Sequence, residues 1–151
     1  MNIVSYLIEA HIFIRENSGL KFLLLKRSSE EIYPKLWQMV TGRINSNEKA
    51  FEAAKREIVE ETGLKPLKMW VVPRVNSFYS QEKDEICMVP VFATEVGNTE
   101  VKLSEEHTEY VWCDAGKAKE LLAWEGQRKA VDLIVEYFTK PRSELKFIEI
   151  K

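Results

Sequence analysis

The chain has 151 residues, 45% of them hydrophobic and 30% charged, with a formal net charge of −2. That is long enough for one well-packed domain, expected over residues 1–151, and too nearly neutral for bulk attraction to a nucleic acid polymer or an anionic membrane. No apolar run reaches the length of a membrane helix and the start Met1-Asn2-Ile3-Val4-Ser5-Tyr6 lacks a basic leader, so a cytoplasmic protein is expected.

In chain order, Val4 to Ile14 and Lys21 to Lys26 read as strands joined by the polar turn Glu16-Asn17-Ser18-Gly19, a hairpin signal. Ser28 to Lys35 is a polar loop containing Pro34. A helix is expected over residues 49 to 62. Met69 to Ser77 and Glu85 to Val96 are β-rich, and Glu109 to Cys113 is a short strand. Ala115 to Ala123 and Gly126 to Tyr137 carry apolar residues at helical spacing, broken at Trp124-Glu125-Gly126. Phe147 to Ile150 is a last strand or an ordered tail. Strands around a first helix, with helices at the end, predict an α/β fold with a mixed sheet covered on two faces. Cys87 and Cys113 lie in apolar strand-like surroundings without zinc spacing and read as packing thiols.

The most informative segment runs from Gly42 to Leu64. On a helix, Glu57, Glu60 and Glu61 fall at i, i+3 and i+4 and share about one third of the circumference. Phe51, Ala54 and Ile58 occupy the adjoining arc, which puts the acids at the margin of the buried face. Like charges so placed repel unless a cation sits among them, and Mg²⁺ joins such carboxylates to phosphate oxygens and waters. Gly63 suits the left-handed position just past a helix end, and Gly42 suits a tight loop ahead of it. A merely solvated acidic helix explains Glu57, Glu60 and Glu61 but not Gly42, Glu48, Arg56 and Gly63. From average residue usage these seven identities, with aliphatic Ile58 and Leu64, should recur by chance on the order of once in 10⁷ chains of this length.

Residues 42 to 64 resemble the Nudix box, Gly-x5-Glu-x7-Arg-Glu-U-x-Glu-Glu-x-Gly-U with U aliphatic, at every specified position. The resemblance implies a hydrolase of nucleoside diphosphates linked to another group, using Mg²⁺ or Mn²⁺, on an α/β/α sandwich. It implies that Glu57, Glu60 and Glu61 bind metal, with Glu57 or a neighbour helping to deprotonate the attacking water. Glu48 and Arg56 would brace the loop against the helix, and the Thr41 carbonyl would complete a metal shell.

Leu103-Ser104-Glu105-Glu106-His107-Thr108-Glu109-Tyr110-Val111-Trp112 is read by itself as a solvated loop before a strand. It also resembles a segment that supplies a further metal-site carboxylate in several Nudix branches, here Glu106 with Glu105 as substitute. His107 is read as structural, or as a phosphate contact through its ring proton. Leu36 to Gly42 and Trp124 to Val131 look like the dihydroneopterin triphosphate pyrophosphatase branch. Cations that could neutralise a triphosphate are Lys26, Arg27, Arg43, Arg74 and Arg128, with Arg27 foremost. Trp37, Phe78 and Tyr79 could stack on a base or pterin ring, Trp37 equally serving as core.

The reading is therefore a Mg²⁺-dependent pyrophosphohydrolase of a nucleoside or pterin triphosphate, a monomer or homodimer. One alternative is a diadenosine polyphosphate hydrolase, although those enzymes tend to carry proline and lysine around the box glycine where this chain has Thr41 and Arg43. Another is a silent nucleotide-binding module. A diphosphate isomerase would need a cysteine near the box, and there is none.

Overall fold

The computed structural model describes residues 1–140 and 142–151. A short strand β1 (Asn2–Val4) precedes β2 (Leu7–Glu16), the centre of the sheet. Ile8, Ala10 and Ile12 of β2 face one side and Glu9, His11 and Phe13 the other, and all six are buried. A strand buried on both faces belongs in the middle of a layered structure. Strand β3 (Gly19–Arg27) pairs antiparallel with β2 across the hairpin and carries both core clusters in alternation, Leu23 and Leu25 against Phe22 and Leu24.

Next come β4 (Trp37–Gln38), β5 (Val40–Arg43) and helix α1 (Ala50–Thr62). The long strands β6 (Lys68–Ser80) and β7 (Glu85–Glu95) form an antiparallel hairpin, and β8 (His107–Cys113) pairs with β3. Helices α2 (Ala115–Leu121), α3 (Glu125–Thr139) and the short α4 (Leu145–Ile148) follow. The eight strands among the described residues lie in one sheet ordered β1-β7-β2-β3-β4, with β5 on β2, β6 on β7 and β8 on β3. The β1–β7 and β2–β7 pairs are parallel and the others antiparallel, so the sheet is mixed.

Helix α1 covers one face through Ala53, Ala54 and Ile58, packed with Ile8, Ile12 and Leu25. Ala130, Val131, Ile134 and Phe138 of α3 cover the other with Phe13, Phe22 and Trp70. The architecture is the expected α/β sandwich. Among the described residues no helix is long and apolar enough to cross a membrane.

Three elements differ from the sequence reading. The run from Val4 to Ile14 is interrupted at Ser5 and Tyr6, giving two strands that both pair with β7. Trp37–Arg43, not read as strand, contains β4 and β5, whose extended backbone is held by β3 and β2. Glu125 belongs to α3 rather than to the break before it. Of the two expectations for the tail, the ordered tail holds and the strand does not: a helical turn is followed by Ile150, whose N–H donates to the Met69 carbonyl (2.8 Å).

Candidate active site

Helix α1 is built to hold its acids at one edge of the sheet. Its first turn is closed by Glu52, whose carboxylate accepts from the Lys49 N–H at 2.9 Å. Its end is closed by Gly63 at φ 71°, with the Gly63 N–H on the Val59 carbonyl (2.9 Å). Rotation about the axis then grades the acids from Glu60, exposed, through Glu57, half-buried, to Glu61, buried at 3% exposure. Gly42 lies within β5 rather than in a loop, and its backbone is not left-handed. Glycine is needed there for close approach, because a Cβ would sit 2.3 Å from Glu57 Cδ.

Arg56 ties these parts together. Its Nε and Nη2 hold the two oxygens of Glu48 at 2.8 and 3.0 Å, Nη1 reaches Glu57 Oε1 (2.7 Å) and Glu60 Oε2 (3.2 Å), and Nη2 donates to the Arg43 carbonyl (2.8 Å). One guanidinium thus joins the loop before the helix, strand β5 and two of the acids, in the bidentate geometry that Arg makes with carboxylates. The Arg56 hydrogen bonds, with a further one from the Asn45 N–H, hold the Glu48 carboxyl below its usual range.

The remaining acid comes from the segment before β8. Glu57, Glu60, Glu61, Ser104, Glu105 and Glu106 line a cavity of about 350 Å³. The segment is pinned by the Ser28 N–H on the Glu106 carbonyl (2.9 Å) and the His107 N–H on the Ser104 carbonyl (3.3 Å). Glu61, Glu106 and His107 each bring a potential ligand atom within 4.8 Å of the others. Burial, then Glu106 and Glu57, push the Glu61 carboxyl up to about 10. Burial also raises Glu57, against the pull of Arg56. Carboxylates crowded this way resist ionisation unless positive charge joins them.

A family model of the NUDIX domain matches residues 6–134. The chain belongs to the Nudix hydrolase family. It is 30% identical over 105 residues to the nucleoside triphosphatase NudI of Escherichia coli O139:H28, covering 64% of this chain and 74% of that protein. Among solved structures it is similar to a Nudix hydrolase of Listeria monocytogenes (26% identity, TM-score 0.75, 89% of this chain and 94% of that one). It also shares the fold of the E. coli dihydroneopterin triphosphate pyrophosphohydrolase (23% identity, TM-score 0.71, 88% and 94%).

The Nudix acids fit a hard divalent cation. Glu61 Oε2 is buried without a hydrogen-bond partner among the described residues, beside further carboxylates that also present oxygen. All-oxygen anionic donors suit Mg²⁺ or Mn²⁺. The other sequence candidates lie outside the cavity wall. Thr41 sits in β5 opposite Glu9, and exposed Arg43 stacks its guanidinium 4.9 Å from the Tyr6 ring centroid. Arg27 is engaged with the Ile32 carbonyl (2.6 Å), Gln38 Oε1 (3.2 Å) and Glu31 Oε2 (3.5 Å). Arg128 Nη1 donates to the Leu122 and Ala123 carbonyls at 3.0 and 2.8 Å. Trp37 packs against the α3-side core with Lys26 Nζ 5.9 Å from its centroid. Phe78 and Tyr79 are exposed on β6.

Three groupings were not read from the sequence. Ser104 lines the acid cavity, and Gln38 is buried against His107, with Gln38 Nε2 3.0 Å from His107 Nε2. On the opposite face, buried Glu9 binds His11 Nε2 at 2.7 Å and Asn76 Nδ2 at 3.1 Å, and Arg74 Nε donates to Asn76 Oδ1 (2.6 Å). The only signal for that group is two polar residues on the inward face of an otherwise apolar strand.

Proposed function

We propose that this Nudix hydrolase is a Mg²⁺-dependent pyrophosphohydrolase that cleaves a phosphoanhydride bond of a nucleoside triphosphate or dihydroneopterin triphosphate and releases pyrophosphate in the cytoplasm. The observation that carries the reading is the convergence of Glu57, Glu60, Glu61 and Glu106 on one cavity, with Glu61 Oε2 lacking a hydrogen-bond partner among the described residues. The similarity to a nucleoside triphosphatase supports the substrate class, and the fold shared with a dihydroneopterin triphosphate pyrophosphohydrolase is compatible with it.

Those four acids, with the Thr41 carbonyl, would hold Mg²⁺, or Mn²⁺ in its place. The bound ion would neutralise phosphate oxygens and lower the pKa of a water. Glu57 is assigned as the proton acceptor, because burial raises its affinity for a proton while the Arg56 bond fixes one of its oxygens. Water oxygen attacks phosphorus, the bridging P–O bond breaks, pyrophosphate departs, and the water proton passes to the carboxylate. Arg56 and Glu48 position Glu57 from behind. Arg43 is an exposed cation whose carbonyl accepts from Arg56, and it is assigned to phosphate oxygens. Trp37 and Arg128 are assigned to the part of the substrate outside the acid cavity, whereas Arg27 is assigned to holding its own loop.

A substrate panel with Mg²⁺ tests this. Dihydroneopterin triphosphate or a nucleoside triphosphate should be hydrolysed with pyrophosphate released. Preference for diadenosine polyphosphates, or failure to turn over any member of the panel including ADP-ribose, refutes it.

A further inference from the structure

The acid site contains a buried histidine with one ring nitrogen unaccounted for. His107 Nδ1 has no hydrogen-bond partner among the described residues, and neither have Glu61 Oε2 or Ser104 Oγ in the same site. The protonation of that ring follows from its neighbours. Arg27 can only donate, and its Nη1 lies 3.2 Å from Gln38 Oε1, which fixes which end of the amide faces the arginine. The Gln38 NH₂ group therefore faces His107 Nε2 at 3.0 Å. Since an amide NH₂ also only donates, Nε2 must accept, and the proton of the neutral ring is on Nδ1.

That tautomer has no lone pair to offer a metal, because the Nε2 pair points at Gln38 and Nδ1 carries hydrogen. A ring nitrogen of His107 lies within 4.8 Å of ligand atoms of Glu61 and Glu106, and the one hydrogen this ring can offer them is on the unpartnered Nδ1. A buried N–H without a partner is costly, whereas carboxylates that hold a metal are held in turn by donors behind them.

We propose that His107 is a positioning residue and not a metal ligand: in the tautomer imposed by Arg27 and Gln38, its Nδ1–H donates to the Glu61–Glu106 carboxylate pair, directly or through one water. The proposal rests on the metal-site reading above. It extends the site into a chain, Arg27 to Gln38 to His107 to the acids, linking the loop after β3 to the cavity.

Two measurements on the wild-type protein test it without turnover. Two-bond ¹⁵N–¹H NMR correlations of the metal-free protein should place the His107 proton on Nδ1. Electron spin echo spectra of the Mn²⁺-loaded protein should show no ¹⁴N coupling from a coordinated imidazole. The proton on Nε2, or an imidazole coupling that disappears in His107→Gln, overturns the proposal. Substitutions supply the second arm, since an Asn amide places N–H about where Nδ1–H was and a Gln amide about where Nε2 was. His107→Asn should bind Mn²⁺ within about threefold of wild type, and His107→Gln should bind about 10–100-fold more weakly. Equal affinities of the two folded variants overturn the proposal. Mn²⁺ binding indifferent to Glu61→Gln overturns the metal-site reading itself, a result distinct from an imidazole signal.

Discussion

Gly42→Ala separates the function of the site from the stability of the fold. Among the described residues only Gly19 and Gly63 are glycines with positive φ, so alanine at 42 meets no backbone strain. Its methyl, however, would lie 2.3 Å from Glu57 Cδ, 2.4 Å from Cγ and 2.6 Å from Oε1. Carbon atoms in contact sit about 3.5–4.0 Å apart, so the Glu57 side chain must retreat by more than about 1 Å. That movement draws Oε1 from its 2.7 Å bond to Arg56 and from its place in the cavity. Misplacement of about 1 Å costs on the order of 10²-fold in rate, equivalent to about 2.7 kcal/mol of transition-state stabilisation. Folding free energy should change by less than about 1 kcal/mol, since the methyl displaces a side chain at the edge of a cavity rather than a packed core. Pyrophosphate-release kinetics and urea unfolding on the same preparations check both numbers. A folded Gly42→Ala protein with kcat/KM within threefold of wild type would refute the close-approach account of Gly42.

Arg56→Lys keeps the charge but loses the fork that holds Glu48, Glu57, Glu60 and the Arg43 carbonyl, so kcat should fall about tenfold or more and the urea midpoint should drop; wild-type kcat in the lysine variant would show that charge alone suffices. The raised Glu61 carboxyl makes the metal-free fold pH-dependent. The folded state keeps a proton that the unfolded chain releases near pH 4.5, so this contribution is full below about 4.5 and is lost as pH rises toward about 10. Metal-free Tm should therefore decline from pH 5 to pH 9, and the decline should flatten both in Glu61→Gln and on adding Mg²⁺. Equal slopes in wild type and Glu61→Gln would contradict this origin.

The sequence carried those parts of the fold that have their own periodicity. Helix α1 was legible within a residue because Phe51, Ala54 and Ile58 repeat at helical spacing and Gly63 ends it. Strands β4 and β5 were not, because Trp37–Arg43 has too few residues to show alternation and is extended only through pairing with β3 and β2. The same division runs through the site. Glu57, Glu60 and Glu61 lie on one helix, so local spacing placed them on one face. The joining of Gln38 to His107, or of Ser104 to the acid cavity, depends on where β4 and β8 lie against β3, which a single strand pattern does not encode. Gly42 had a local signal whose physical reason was misread, since only the packed structure shows Glu57 lying on its backbone.

The most direct test is pyrophosphate release from a nucleoside or pterin triphosphate, measured side by side for wild type and Glu57→Gln with Mg²⁺ and with EDTA. Wild type should release pyrophosphate only with Mg²⁺, and folded Glu57→Gln should lose at least about 10²-fold. Full turnover by folded Glu57→Gln, or undiminished turnover in EDTA, contradicts the account.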